Sequence, residues 1–102
     1  MSDGMYSFNE IRGQDIFSGI IQVSQGKFRG ENDIYQYHGV FSIKDHVLQG
    51  SVIVKNKKTE TLDHIPLSTS LDSEEEFKIV IDINGQRINL LCQKEQARPL
   101  MR

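Results

Sequence analysis

Three histidines, one cysteine and two charged runs are the side chains whose types and spacing could carry chemistry in this 102-residue chain. His38, His46 and His64 could serve as ligands or bases. No pair of them has the i, i+4 spacing of a helical zinc site, and the single Cys92 excludes a cysteine-based one. His38 sits beside Gly39 inside a strand pattern and His46 lies in a turn pattern, so the histidines read as structural or solvent-exposed. Serine, histidine and aspartate are all present, but no Gly-x-Ser-x-Gly elbow is found, so triad chemistry has no positive sign. The acidic run Asp72-Ser73-Glu74-Glu75-Glu76 lacks the alternating oxygen ligands and central glycine of a calcium loop. It reads as a solvated loop or as an acidic docking site for a basic partner. Lys55-Asn56-Lys57-Lys58, without interleaved aromatics, reads as a solvated turn that also guards a strand end against edge pairing.

The elements that must position these groups are strands. Twelve isoleucines and six valines stand against one alanine, Ala97. β-Branched side chains lose rotamer freedom against a helical turn and pack well on a pleated surface. About eight short strands with regular turn punctuation predict an all-β antiparallel meander forming a small lipocalin-like barrel. Gly4 to Ile11 and Ile16 to Ser24 are the first two strands, joined by Arg12-Gly13-Gln14-Asp15. Gln25-Gly26 turns into a short strand, Lys27-Phe28-Arg29. The aromatic strand Ile34 to Ile43 and its return, Val47 to Val54, follow. Thr59 to Leu67 reads as a strand interrupted near Pro66, which suits a sheet edge, and Ser68 to Glu75 as a loop. Gly19, Gly39 and Gly50 lie inside strands, where glycine marks a bend, a bulge or a close backbone approach, and three of them suggest a strongly coiled sheet. Asn84-Gly85 is the preferred pair for a two-residue type I′ hairpin. Its register opposes Phe77 to Cys92, Ile79 to Leu90 and Ile81 to Ile88, one apolar face that makes Cys92 a small buried hydrophobe rather than a nucleophile.

Aromatic residues crowd the first half, and Tyr6, Phe8, Phe17, Tyr35, Tyr37 and Phe41 are candidates for the barrel interior or for a ligand held there. A barrel of eight strands is either just filled by its side chains or holds one small apolar ligand. Ile34 and Val40, with Val80 and Leu91 on the C-terminal hairpin, are apolar where a free outer face should be polar, and this predicts a homodimer.

The length bounds the chain to a single domain over 1–102, with strands to about 94 and a polar tail over 95–102. A formal charge of −2 gives no electrostatic reason for direct nucleic-acid binding. No apolar run approaches the length of a membrane span, and Met1-Ser2-Asp3-Gly4 lacks the basic then apolar start of a signal peptide. With one cysteine, the expectation is a cytoplasmic, bacterial-style protein that uses no cofactor.

Several stretches resemble the GrlR-like family, the negative regulators of type III secretion. Asp3-Gly4-Met5-Tyr6-Ser7 is similar to the family's Asp-Gly-apolar-aromatic-Ser opening. Gly19-Ile20-Ile21 resembles its second strand, and Gly30-Glu31-Asn32-Asp33 stands in the place of its Gly-Gly-Asp turn. Tyr37-His38-Gly39-Val40-Phe41-Ser42 resembles its aromatic-x-Gly-apolar strand, and Gln49 to Val54 its return strand. The likeness covers residues 3 to 55 and continues only as strand pattern in the second half. It implies a lipocalin-like barrel or half-barrel, a homodimer, no catalysis and no direct reading of DNA. It also implies sequestration of a transcriptional activator by protein–protein contact. The family's partner contact is an acidic loop between the aromatic strand and its return; here that loop is Ile43-Lys44-Asp45-His46, with one acid. Lys44, Asp45 and His46, together with Asp72, Glu74, Glu75 and Glu76, are therefore the partner-binding candidates. A lipocalin-like carrier of a small apolar ligand is the alternative function.

Overall fold

The computed structural model describes residues 2–71, 73 and 75–95. The alternation of branched apolar and polar residues forms eight strands: β1 (Gly4–Arg12), β2 (Asp15–Ser24), β3 (Lys27–Glu31), β4 (Tyr35–Lys44), β5 (Val47–Asn56), β6 (Leu62–Ser70), β7 (Glu76–Ile83) and β8 (Gln86–Lys94). All ladders are antiparallel, in the order β6-β5-β4-β3-β2-β1-β8-β7. The two edge strands, β6 and β7, come side by side. Between them the Thr69 hydroxyl donates to the Lys78 carbonyl at 3.3 Å, and no ladder joins them among the described residues. The result is an all-β, nearly closed barrel with no helix among the described residues.

Turn chemistry sets the registers. Asn84 and Gly85 take φ of 51° and 80°, and the β7–β8 ladder opposes Phe77 to Cys92, Ile79 to Leu90 and Ile81 to Ile88, as the type I′ turn predicts. Gln25-Gly26 and Asp45-His46 turn the same way, with both residues of each pair at positive φ. The boundaries of β3 and β6 differ most from expectation. β3 runs on to Glu31, because its ladder with β4 continues through Gly30 and Glu31. β6 spans Leu62–Ser70 rather than Thr59 to Leu67, so Ser68 to Ser70, expected in a loop, continue the strand because their ladder with β5 runs on to Val47. The chain first makes a loop there, in which the Asn56 side-chain oxygen accepts the amides of Lys58 and Thr59 and Glu60 sits at φ 62°. Pro66 lies within β6, tolerated because β6 is an edge.

Four glycines inside strands, Gly19, Gly30, Gly39 and Gly50, stand where a Cβ has no room. Gly19 pairs with Phe8, Gly30 with Tyr37, Gly39 with Phe28 and Gly50 with Phe41, each an aromatic on the neighbouring strand. A Cβ at Gly39 would lie 2.0 Å from the Phe28 ring, and one at Gly19 2.2 Å from the Glu31 carbonyl oxygen and 2.5 Å from the Phe8 ring. At Gly50 the obstacle is backbone, since a Cβ there would lie 1.9 Å from the Val40 carbonyl oxygen. The rings of Phe8 and Phe28 lie across their glycines, which lets the sheet coil tightly while each ring fills the space that a side chain would have taken.

The barrel interior is the core. Phe8 meets Tyr37 edge-on at 5.8 Å and Tyr6 meets Phe77 at 5.4 Å, the geometry that aromatic quadrupoles favour. Ile34, expected beside Val40 on the outer face, is instead half-buried and packs against this core. It lies in the turn before β4, where the two-residue alternation has not yet begun, and its carbonyl accepts the Lys57 amide at 2.8 Å.

Candidate functional site

The sequence pattern sends every other residue of β1 inward, so Tyr6 and Phe8 are followed inside by Glu10. Glu10 is fully buried, and its carboxylate is held by its own chain. The Tyr37 hydroxyl and the Asn32 amide each donate to Oε1 at 2.6 Å, and Arg12 donates to Oε2 at 2.8 Å. Asn32 uses its other end to accept the amides of Ile34 and Tyr35, pinning the β3–β4 turn. The Arg12 guanidinium lies 4.8 Å from the centre of the Tyr35 ring. Burial pushes the Tyr37 hydroxyl well above its ordinary pKa, and the bond to Glu10 adds to this. For Arg12 burial acts downward, but Tyr35 and Glu10 outweigh it and raise the group above its usual value. A buried charge is tolerable only when paired and hydrogen-bonded. The Glu10 carboxylate meets both conditions, although the buried Arg12 Nε has no hydrogen-bond partner, so the chemistry of the cluster is a lock that ties β1, the β3–β4 turn and β4 together at one end of the barrel.

Among the described residues the interior is filled by side chains. A cavity of about 10 Å³ lies among Ile21, Phe28, Tyr37, Val52, Leu67 and Leu90, barely enough for one water. Of the candidates for the barrel interior, Tyr6, Phe8, Tyr35 and Tyr37 are buried core and Phe41 is half-buried against Phe28. Phe17 is half-buried opposite Glu10. Burial pushes the Cys92 thiol up to about 12, in keeping with a buried hydrophobe.

The opposite end of the barrel brings together parts of the two acidic candidates. Lys44, Asp45 and His46 are exposed, and the His46 carbonyl accepts the Leu71 amide at 2.8 Å, which holds the β4–β5 turn against the segment after β6. Glu75 and Glu76 are exposed where β7 begins, and the Glu75 carbonyl accepts the Lys94 amide. Asp72 and Glu74, like the tail over 96–102, lie outside the described residues.

The outer face holds a constellation that sequence reasoning missed. The ladders place Gln22, Arg29, His38, Ile53 and His64 in one row across β2 to β6. Beside it runs a second row, Ser24, Lys27, Val40 and Ser51. The two rows line a groove of about 590 Å³, open to solvent. Val40 is half exposed there, whereas Val80 and Leu91 lie on β7 and β8, so the expected dimer residues do not form one patch. Outward residues on single strands look merely polar; the row emerges only when four registers are combined. Glu10 had a legible signal, a carboxylate on the apolar side of the β1 alternation with Arg12 two residues on. Among the described residues, no three His, Cys, Asp or Glu side chains converge to hold a metal ion, and no helix is long and apolar enough to cross a membrane.

Compared with models of protein families and with curated proteins, the sequence finds no match.

Proposed function

We propose that this protein is a non-enzymatic regulatory binding protein that acts by holding a protein partner against its barrel surface. The observation that carries this reading is the contrast between a filled interior and an outer groove lined by charged and polar side chains. The buried carboxylate is saturated by its own chain, so the recognition chemistry lies outside. The likeness of residues 3 to 55 to the GrlR-like regulators supports a cytoplasmic, bacterial protein whose partner is a transcriptional activator. A homodimer belongs to the same reading, with the exposed Val80 and Leu91 as one contact between copies.

Affinity capture from the source cells, followed by identification of what binds, tests the reading. A transcriptional activator that co-purifies stoichiometrically, and whose output falls when this protein is supplied in excess, is the expected result. Repeated recovery of no specific protein sinks it. Light scattering at micromolar concentration decides the dimer, which a monomer mass would remove.

A further inference from the structure

We propose that the outer groove across β2 to β6 is the docking site for an acidic segment of that protein partner, an inference that rests on the binding function above. The chain has 14 acidic residues against 12 lysines and arginines, yet among the described residues no acid lines the groove of about 590 Å³. Lys27, Arg29, His38 and His64 do line it. Elsewhere Arg12 is paired with Glu10, Lys57 with Glu31, Lys55 with Glu60 and Arg87 with Asp82. Among the described residues, Lys27 and Arg29 have no ion-pair partner, as is also true of Lys44, Lys58 and Lys78, but these two lie together in one groove. The groove is a patch of unmatched positive charge on a net acidic protein, and charge complementarity selects a carboxylate-bearing partner.

The register describes the shape of that partner. Arg29 and His38 are direct cross-strand neighbours, and Ile53 separates His38 from His64 at spacings of roughly 4.8 Å per strand. Val40 is 52% exposed in the adjoining row and supplies an apolar contact beside the cations. An extended peptide with a carboxylate at every second residue turns all of its acids to one face, toward these cations, because successive side chains of a strand point to opposite faces. A nucleic acid matches it poorly. Single strands are held by exposed aromatic stacking platforms, and among the described residues the aromatic that borders the groove, Phe28, is buried.

Fluorescence anisotropy with a labelled peptide of alternating glutamate and valine tests the proposal on the full chain. The glutamine–valine peptide, a labelled single-stranded oligonucleotide and a labelled copy of the protein itself serve as competing probes. Binding of the glutamate peptide, loss of about ten-fold or more in affinity with Lys27→Glu/Arg29→Glu, and a several-fold loss as salt rises from about 0.1 M to about 1 M are expected. Both residues are exposed on the outer face, and Lys27→Gln/Arg29→Gln gives a milder version if the reversal fails to fold. Equal binding of the glutamine peptide, preference for the oligonucleotide or for a second copy, or indifference to both variants overturns it. An activator that is captured with unchanged affinity by the folded variants would end the groove proposal alone and leave the binding function standing; failure to capture any partner would remove the function itself.

Discussion

The locked end of the barrel and the outer groove are both built from cations and hydrogen-bonding side chains, yet they differ in who satisfies them. At the locked end, Arg12, Asn32 and Tyr37 converge on one buried carboxylate. On the outer face, Lys27 and Arg29 stand in water with no ion-pair partner among the described residues. A polar group taken out of water must find its partner in the folded chain, whereas an exposed one is free to find it elsewhere. The difference separates residues that hold the fold from residues available for recognition, and each side of it can be broken separately.

The largest effect is expected at Glu10. Glu10→Ala leaves the Tyr37 hydroxyl, the Asn32 amide and the Arg12 guanidinium without their shared acceptor inside the barrel. Breaking a buried pair by removing one member costs about 3–5 kcal/mol. Urea unfolding of Glu10→Ala should therefore show a large fall in midpoint. A loss below about 1 kcal/mol would mean that water reaches the cluster and that the two regions are less different than their burial implies.

Next comes Gly39, whose backbone borders the groove while Phe28 lies across its inner side. A valine there meets the Phe28 ring, and overpacking of this kind costs about 1–3 kcal/mol. Part of the loss should return in the double variant with Phe28→Ala, since residues in contact do not add independently. Strict additivity between the two changes would show that the ring does not rest on the glycine in solution.

The groove supplies the contrasting case. Lys27→Glu/Arg29→Glu should alter stability by no more than about 0.5 kcal/mol, the usual range for surface changes away from a structural feature. Thermal unfolding of this variant beside Glu10→Ala gives the comparison its sharpest form. A destabilisation similar to that of Glu10→Ala would place these cations in the structural network and out of recognition.

How far the sequence disclosed all this follows from whether the signal is local. The C-terminal hairpin was legible to the residue, because Asn84-Gly85 fixes a turn and the turn fixes the register. The mid-strand glycines announced coiling, but not their partners: Phe8 opposite Gly19 and Phe41 opposite Gly50 are neighbours only after the strands are paired. Ile34 departs from its expected face because the period of two begins only at Tyr35, and Ile34 lies one residue before it in a turn shaped by the Asn32 side chain. Glu10 stood on an apolar face in plain view, and a charged residue at such a position demands partners that the sequence does not specify. The groove was least legible of all, since it is assembled from five strands whose outer residues are individually ordinary.

The smallest effect belongs to a pair that sits between the two regimes. Glu31 and Lys57 meet at 2.8 Å near the locked end, satisfied within the chain like Glu10 but exposed like Arg29. The bond and charge of Lys57 hold the Glu31 carboxyl below its usual range. A carboxyl whose pKa is lower folded than unfolded binds fewer protons in the native state, so the pair's contribution is complete above the ordinary glutamate range and disappears as pH falls through the depressed value. Exposure and salt screening keep that contribution minor. Side-chain carboxyl NMR should find Glu31 titrating below the other exposed glutamates, and Lys57→Met should bring it back among them while the unfolding midpoint at neutral pH barely moves. If Glu31 titrates with the rest in the unaltered protein, the ion pair is not held in solution, and satisfaction within the chain would then be a property of the buried end alone.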